Sequence, residues 1–236
     1  MFHLASSLYT QYTKREQYNI LILGLDNAGK TTFMEHVKLL YSNSENPTNK
    51  NKNKKNSQEH DRSTSDIIKS KKILPTVGQN TTTIRFDQHN DIPNSKNINL
   101  KFWDLGGQKS LRSMWSRYYK NCHGIIFIID STDTERFQEC YETLLEIAND
   151  NAWIEEGSVS VNVPILMLAN KQDLPIAVDL VTLKTGVFIK VVSELEATDS
   201  KLLPVSVLEN EGIKESLEWL VTRLIYNKVN KRPEYK

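Results

Sequence analysis

Apolar residues along the chain fall in short unbroken runs, separated by stretches of helical spacing. The strongest runs are Asn19-Ile20-Leu21-Ile22-Leu23, Gly124-Ile125-Ile126-Phe127-Ile128-Ile129-Asp130 and Val163-Pro164-Ile165-Leu166-Met167-Leu168-Ala169. None alternates apolar with polar residues, which marks strands buried on both faces of a parallel sheet. A further strand is expected at 202–206, and helical periodicity covers 30–41, 111–121, 135–149, 181–195 and 213–227. Strands alternating with helices predict βαβ units and a covered sheet. Two weaker strands, at 82–86 and 98–103, follow one another directly and predict a hairpin that adds one antiparallel edge strand. The expected fold class is α/β, with a six-stranded, mostly parallel sheet and helices on both faces.

Residues 42–72 break this pattern. Six asparagines fall between Asn43 and Asn56, and eight lysines and arginines face four acids. Such a segment buries too little apolar surface to offset the entropy of ordering it, so it reads as a disordered insertion. A solvated low-complexity expansion is the preferred reading over a basic tether for anionic lipid. A smaller polar insertion at 89–97 lengthens the hairpin turn.

Composition narrows the classes. At 236 residues, 39% hydrophobic and 25% charged, the chain suits one large domain with appendages. A net charge of +1 offers no electrostatic case for nucleic acid as a partner. The two cysteines, Cys122 and Cys140, lack metal-site spacing and read as reduced thiols. No apolar run approaches the roughly 18 residues that span a bilayer, and the start lacks signal-peptide features, so any membrane contact is expected to be peripheral.

Gly24-Leu25-Asp26-Asn27-Ala28-Gly29-Lys30-Thr31 fits the phosphate-loop pattern, after a strand and before a helix. Its backbone N–H groups wrap phosphates, Lys30 reaches the β- and γ-phosphates, and the Thr31 hydroxyl ligates Mg²⁺. Kinases and ATPases share this loop. Asn170-Lys171-Gln172-Asp173, at the end of a core strand, narrows the base. The Asp173 carboxylate can accept from guanine N1–H and the 2-amine, donors that adenine lacks. Asn170 holds the loop and meets guanine N7. Asp104-Leu105-Gly106-Gly107-Gln108 follows the 98–103 strand: Asp104 holds Mg²⁺ through a water, the Gly107 N–H bonds the γ-phosphate, and Gln108 orients the attacking water. Thr76, in Pro75-Thr76-Val77-Gly78, is a second Mg²⁺ ligand that engages only when a γ-phosphate is present.

With these motifs in this order the chain resembles a small GTPase. The nine residues Gly24 to Thr32, with Asp26 inside the loop, are similar to the ADP-ribosylation-factor branch, as are Trp103-Asp104-Leu105-Gly106-Gly107-Gln108 and Asn170-Lys171-Gln172-Asp173. Leu111-Arg112-Ser113-Met114-Trp115-Ser116-Arg117-Tyr118-Tyr119, Cys122-His123-Gly124 and the Arg232-Pro233-Glu234-Tyr235-Lys236 end resemble that branch's Golgi-associated related-protein subgroup in its fungal form. The resemblance implies the phosphate-loop small GTPase fold, GTP/GDP and Mg²⁺ as ligands, and a GTPase domain at 18–228 ending in a basic tail at 229–236. Thr32 joins the nucleotide-binding residues, and Ser206-Val207 stands for the last guanine motif, with the Val207 N–H making the contact. Gln79 replaces an aromatic that the wider branch pairs with Trp103 and Tyr118 for effector binding, and Phe2 replaces the glycine that many members myristoylate.

The first 17 residues carry Met1, Leu4, Ala5, Leu8, Tyr9 and Tyr12 at helical spacing, an amphipathic helix able to dock on the protein or in a membrane interface. The resemblance implies a helix that does both, released with GTP. Lacking a lipid, it needs a second contact, such as a Golgi membrane receptor. The function implied is a slow GTPase switch on the cytosolic face of the Golgi and in the cytoplasm, serving vesicle trafficking. Its implied partners are an exchange factor, a GTPase-activating protein and tethering effectors. A non-hydrolysing guanine-nucleotide scaffold and a phosphate-loop kinase or ATPase are the alternatives. No arginine of the motifs is expected to act in cis.

Overall fold

The computed structural model describes residues 15–42, 64–86, 92, 95, 97–150, 163–186, 189 and 199–236. Residues 1–14 of the expected N-terminal helix, the asparagine-rich stretch 43–63, most of the 89–97 turn and 187–188 and 190–195 of the fourth predicted helix lie outside these residues. The last two residues of the expected N-terminal helix, Glu16 and Gln17, are instead strand, paired on both sides.

The strands are β1 (Glu16–Leu23), β2 (Gln79–Phe86), β3 (Ile98–Leu105), β4 (Gly124–Asp130), β5 (Ile165–Asn170), β6 (Ser200–Pro204) and β7 (Glu234–Tyr235). They lie in the order β2-β3-β1-β4-β5-β6, with β7 added to β1. β2 is antiparallel to β3 from Gln79 opposite Leu105 to Phe86 opposite Ile98, the expected hairpin, and the other five of the main path run parallel.

Alternate side chains of the central strands enter opposite cores, which explains the lack of alternation in their sequences. Ile20, Ile22, Ile126 and Ile128 pack with Phe33, Met34 and Val37 of α1 (Lys30–Ser42) and Leu217, Leu220 and Leu224 of the long C-terminal helix, Ile213–Tyr226. Leu21, Leu23, Ile125, Phe127 and Ile129 face the other way, against Trp115, Tyr119, Phe137, Leu144 and Leu183. Cys122 and Cys140 are free and buried on that side, and burial pushes both thiols up to about 12.

Four further expectations are corrected. First, α2 (Thr64–Ser70) occupies the end of the segment read as disordered. Ile68 is buried, Lys71 Nζ reaches Glu35 of α1 at 2.5 Å and Lys69 Nζ reaches Glu209 at 2.6 Å, so one apolar anchor and two ion pairs tie down a polar helix. Second, the helix expected at 111–121 is two short pieces, α3 (Lys109–Arg112) and α4 (Ser116–Tyr119). Entering α3 and across the junction into α4 the N–H groups bond three residues back, Leu111 to Gln108, Met114 to Leu111, Trp115 to Arg112 and Tyr118 to Trp115, a tighter winding that interrupts the α-helix. Third, the helix expected from 135 opens with a 3-10 turn, Thr134–Arg136, before α5 (Phe137–Ala148), and that expected from 181 is α6 (Leu180–Thr185), capped by Asp179 accepting from the Val181 and Thr182 N–H groups. Fourth, the C-terminus after α7 (Ile213–Tyr226) is no loose tail: β7 pairs antiparallel with Glu16 and Gln17, making a seventh strand.

Candidate nucleotide-binding site

β1 ends at Leu23, and its direction carries the chain into a loop that returns as α1. Gly24 sits at φ +137°, and a Cβ there would lie 2.3 Å from the Ile128 carbonyl oxygen, so only glycine lets the loop pass this close to β4. Lys30 is buried to 6% exposure and donates to the Leu25 carbonyl at 2.6 Å. Burial lowers its ammonium to about 8, against the opposing pull of Asp104 and Asp26. A cation confined in this way is poised for an anion brought into the loop.

Thr31, the next residue, meets two other segments. Its hydroxyl donates to Asp104 Oδ2 at 2.7 Å and lies 2.8 Å from the Thr76 hydroxyl, which also reaches Asp104 Oδ2 at 3.1 Å. The β1–β3 register, which sets Ile22 opposite Asp104, delivers this carboxylate to the loop. Asp104 is fully buried, burial raises its pKa, and its Oδ1 has no hydrogen-bond partner. Two hydroxyls and an unsatisfied buried carboxylate form an all-oxygen set, which suits a hard divalent cation such as Mg²⁺.

Beyond Asp104 the chain passes close over the phosphate loop. A Cβ on Gly107 would lie 2.3 Å from Lys30 Nζ and 2.5 Å from the Gly24 carbonyl oxygen, so any side chain here would lift the strand end away. The Gly106 N–H donates to the Gly78 carbonyl at 3.0 Å, joining this segment to the Thr76 strap. Gln108 is exposed on the cavity wall, before α3, with no side-chain cap bond.

The base-recognition end is assembled around Asn170, the last residue of β5. Its Nδ2 donates to the Ala28 carbonyl at 2.9 Å, and its Oδ1 accepts from the Val207 N–H at 3.2 Å. One amide thus clasps the phosphate loop to the 206–211 loop. The Val207 N–H, expected to meet the base, is engaged by Asn170 here. Lys171, at φ +68°, donates to Asp130 Oδ2 at 2.5 Å, and Gln172 Nε2 donates to the Ser131 hydroxyl and the Val178 carbonyl. Asp173 Oδ1 accepts from the Ser206 hydroxyl at 2.6 Å, which orients its carboxylate.

A cavity of about 350 Å³ gathers these parts. Asp26, Asn27, Gly29, Lys30, Thr31, Thr32, Thr76, Gly107, Gln108, Asn170, Lys171, Asp173 and Val207 line it. Gly24, Leu25, Ala28, Asp104 and Ser206 do not line it, although each bears on a residue that does through the close approaches and bonds above. Sequence reasoning missed the apolar part of the wall, Ile73, Leu74, Pro75, Leu174 and Leu208, which has no motif to announce it. It also missed two arginines. Arg112 donates to the Gly107 carbonyl, and Arg136 donates to Asp26, so arginine does stand beside the motifs. Both residues are separated in sequence from what they touch, and only the fold brings them in. On the outer face, Tyr118 donates to Gln79 Oε1 at 2.5 Å beside Trp103, so Gln79 meets the aromatic pair through a hydrogen bond.

The sheet order, the phosphate loop after β1 and the helices on both faces define the small GTPase fold. The same fold is seen in the Arl6 BBS3 small GTPase of Trypanosoma brucei, solved with a bound nucleotide analogue GppNp, at a TM-score of 0.63 and 22% identity over 89% of this chain and 99% of that one. The chain is 48% identical to ADP-ribosylation factor-like protein 3 of Saccharomyces cerevisiae over the full length of both. It is 36% identical to human ADP-ribosylation factor-related protein 1 over 96% of this chain and 94% of the relative. The ADP-ribosylation factor family model matches residues 4–63 and 65–224, and the chain belongs to that family. Its members are GTP-binding regulatory switches that bind GTP and GDP and hydrolyse GTP. Among the described residues no helix is long and apolar enough to cross a membrane.

Proposed function

We propose that this protein is a GTP-hydrolysing switch that works at the cytosolic face of the Golgi and exchanges with the cytoplasm. The observation that carries this reading is the meeting of Thr31 and Thr76, in the cavity wall that also holds Lys30 and Asp173, with the buried Asp104 behind them through their side-chain oxygens. The phosphate loop and both expected switch segments converge there, so a ligand reaching that point is felt by all three.

In the proposed reaction, water attacks the γ-phosphorus in line as the bond to the β-phosphate oxygen breaks, yielding GDP and phosphate. Gln108 orients the water. Lys30, with the loop N–H groups from Asp26 to Thr32, holds the phosphates and takes up developing charge. Thr31 and Thr76, with Asp104 behind them, would hold Mg²⁺, which would supply charge neutralisation at the phosphates when bound. The Gly107 N–H donates to the γ-phosphate. Once that phosphate leaves, Gly107 and Thr76 lose their contacts and both segments relax. Asp173 reads guanine N1–H and the 2-amine, Asn170 secures the pocket, and the Val207 N–H turns from Asn170 to the base oxygen. Unaided turnover is slow, on the order of 10⁻⁴ per second, so a GTPase-activating protein is required, and an exchange factor resets the switch.

The segment before β1, read as an amphipathic helix without a myristoyl chain, binds the membrane with the help of a protein receptor, and the GTP form recruits tethering effectors for vesicle traffic. The GTPase domain runs from β1 through β7. The helical spacing of the apolar residues from Met1 to Tyr12 supports the membrane part of this reading. The test is the nucleotide content and turnover of purified protein with Mg²⁺. GDP or GTP, with GTP turned over, is expected. A preference for ATP would overturn the reading, and GTP retained in the presence of an activating protein would indicate a non-hydrolysing scaffold. A fluorescent fusion of the full chain is expected at the Golgi, dispersing when residues 1–14 are removed.

A further inference from the structure

Arg112 lies four residues beyond Gln108, with only 14% of its side chain exposed. Its guanidinium is spent on three elements at once. Nε donates to the Gly107 carbonyl at 2.8 Å, Nη1 donates to Glu139 Oε1 of α5 at 2.8 Å, and Nη2 stands 4.0 Å from Asp26 Oδ1 in the phosphate loop. Asp26 is held from the other side by Arg136, which donates to its carboxylate at 3.0 Å and to its carbonyl at 3.2 Å.

The planar peptide makes this arrangement directional. The Gly106 carbonyl shares its peptide plane with the Gly107 N–H, and it accepts from Trp115 Nε1 at 3.1 Å inside the core. The Gly107 carbonyl shares its plane with the Gln108 N–H, and that carbonyl is the one Arg112 holds. Glycine is the residue with the most backbone freedom to lose, and here both peptide planes flanking it are gripped by side chains. With Trp115 alone in place, the plane leading into Gln108 would be free to turn.

We propose that Arg112 is a positioning residue of the hydrolytic site. Anchored by Glu139, it fixes the peptide between Gly107 and Gln108, and so sets where the Gln108 side chain enters the cavity. The inference rests on the GTPase reading above, since it assigns Arg112 a part in hydrolysing GTP. Arg112 does not itself touch the reacting atoms. It makes α5 a structural support of the switch, and a guanidinium is required because a lysine cannot donate to Gly107 and Glu139 in fixed directions while holding its charge near Asp26.

The test uses the full chain loaded with GDP or GTP and Mg²⁺, comparing wild type with Arg112→Gln, Arg112→Lys and Glu139→Gln. Single-turnover hydrolysis of bound GTP is expected to fall about 10–100-fold in Arg112→Gln, the scale on which loss of orientation slows a positioned reaction. GTP and GDP affinities should both stay within about twofold of wild type, because the peptide plane of the Gly107 N–H remains held by Trp115 through the Gly106 carbonyl. Arg112→Lys is expected to recover less than half of the lost rate, and Glu139→Gln to give a smaller loss in the same direction. Unchanged hydrolysis in Arg112→Gln would overturn the proposal, as would an equal fall in GTP and GDP affinity, which marks a merely structural role. If Arg112→Gln does not fold, Glu139→Gln decides: a loss of hydrolysis with GDP affinity kept supports the proposal, and wild-type hydrolysis overturns it. Wild-type protein that binds no GTP would instead overturn the GTPase reading, and this inference with it.

Discussion

At the carboxyl ends of β1, β3 and β5, the side chains that matter follow their strands within a few residues: Lys30 and Thr31 after β1, Gln108 after β3, Asp173 after β5. At the other end of β1 the opposite holds. There the amides of Gln17 and Asn19, buried to 2% and 5%, donate to the two carboxylate oxygens of Glu234 at 3.0 and 2.7 Å, more than two hundred residues away. His123 Nδ1 accepts from the Asn19 N–H, and its Nε2 lies 3.0 Å from the Arg232 carbonyl oxygen. Arg15 and Lys236 exchange backbone bonds at 2.7 and 3.0 Å. β4 begins opposite Ile20, so β7 fills the edge of β1 that β4 leaves bare. One end is built to receive something from solvent, the other to close the chain on itself. Changes at the first should alter ligand choice, and changes at the second should alter stability alone.

The largest expected effect is at Asp173. In Asp173→Asn the side-chain oxygen keeps the Ser206 hydroxyl bond, while the new amide N–H group faces the base. Preference should move from guanine to xanthine nucleotides, whose 2-oxo group accepts, with GTP affinity falling by roughly 10²–10⁴-fold. Competition between GTP and XTP for the purified protein measures it, and continued preference for GTP would remove Asp173 from the base contact.

Asn170→Ala should come next. It leaves the Ala28 carbonyl of the phosphate loop without its partner, at a cost of about 1.4 kcal/mol, or about 10-fold in nucleotide affinity. Because the clasp touches no γ-phosphate contact, GDP and GTP should weaken equally in nucleotide dissociation measurements. A loss confined to one of them would place Asn170 elsewhere in the cycle.

At the opposite end, Glu234→Ala strands two buried amides. About 1–3 kcal/mol of stability should be lost, seen as a lower unfolding midpoint, while nucleotide affinity in the folded protein stays within about twofold. A large change in affinity would break the contrast between the two ends.

The same contrast explains what could be read from the sequence. The phosphate loop, the Asp104–Gln108 run and the Asn170–Asp173 run were legible because their chemistry is local: fixed spacings next to strands whose burial shows as unbroken apolar runs. The parallel sheet and its antiparallel edge were legible for the same reason. β7 was not, because Glu234-Tyr235 is too short and polar to register as a strand and is stabilised by partners at Gln17 and Asn19. α2 was hidden by the composition around it, since a single Ile68 anchors it. The 111–121 stretch read as one helix because Trp115 and Tyr119 are four apart, yet the Trp115 bond to the Gly106 carbonyl accompanies tighter turns. Arg112 lies in the Leu111–Tyr119 run and Arg136 in no quoted motif, and in neither case does the sequence show the role, which depends on where Asp26 and Gly107 come to lie.

The smallest effect concerns His123, and its sign is fixed by burial. Desolvation pushes its pKa below the ordinary value, with the Arg232 carbonyl pulling weakly the other way. The folded protein therefore holds a neutral ring, with Nδ1 accepting from Asn19 and the Nε2–H donating to Arg232. A second proton would set a donor against the Asn19 N–H. The unfolded chain takes up that proton from about pH 6.5 downward and the folded chain does not, so stability is fully present above that pH and declines below it, by at most about 1.4 kcal/mol per pH unit. His36, buried on α1 and also shifted downward by burial, adds to the same slope, so the wild-type curve alone does not isolate His123. The measurement is the unfolding free energy between pH 7.5 and 5.5 for wild type and His123→Gln. The variant should be less stable at pH 7.5 but lose less on acidification, with nucleotide affinity following wild type throughout. Parallel curves would mean that His123 takes up its proton equally in the folded and unfolded states over this range, and that the closed end of the sheet is held by its hydrogen bonds without a pH-sensitive member.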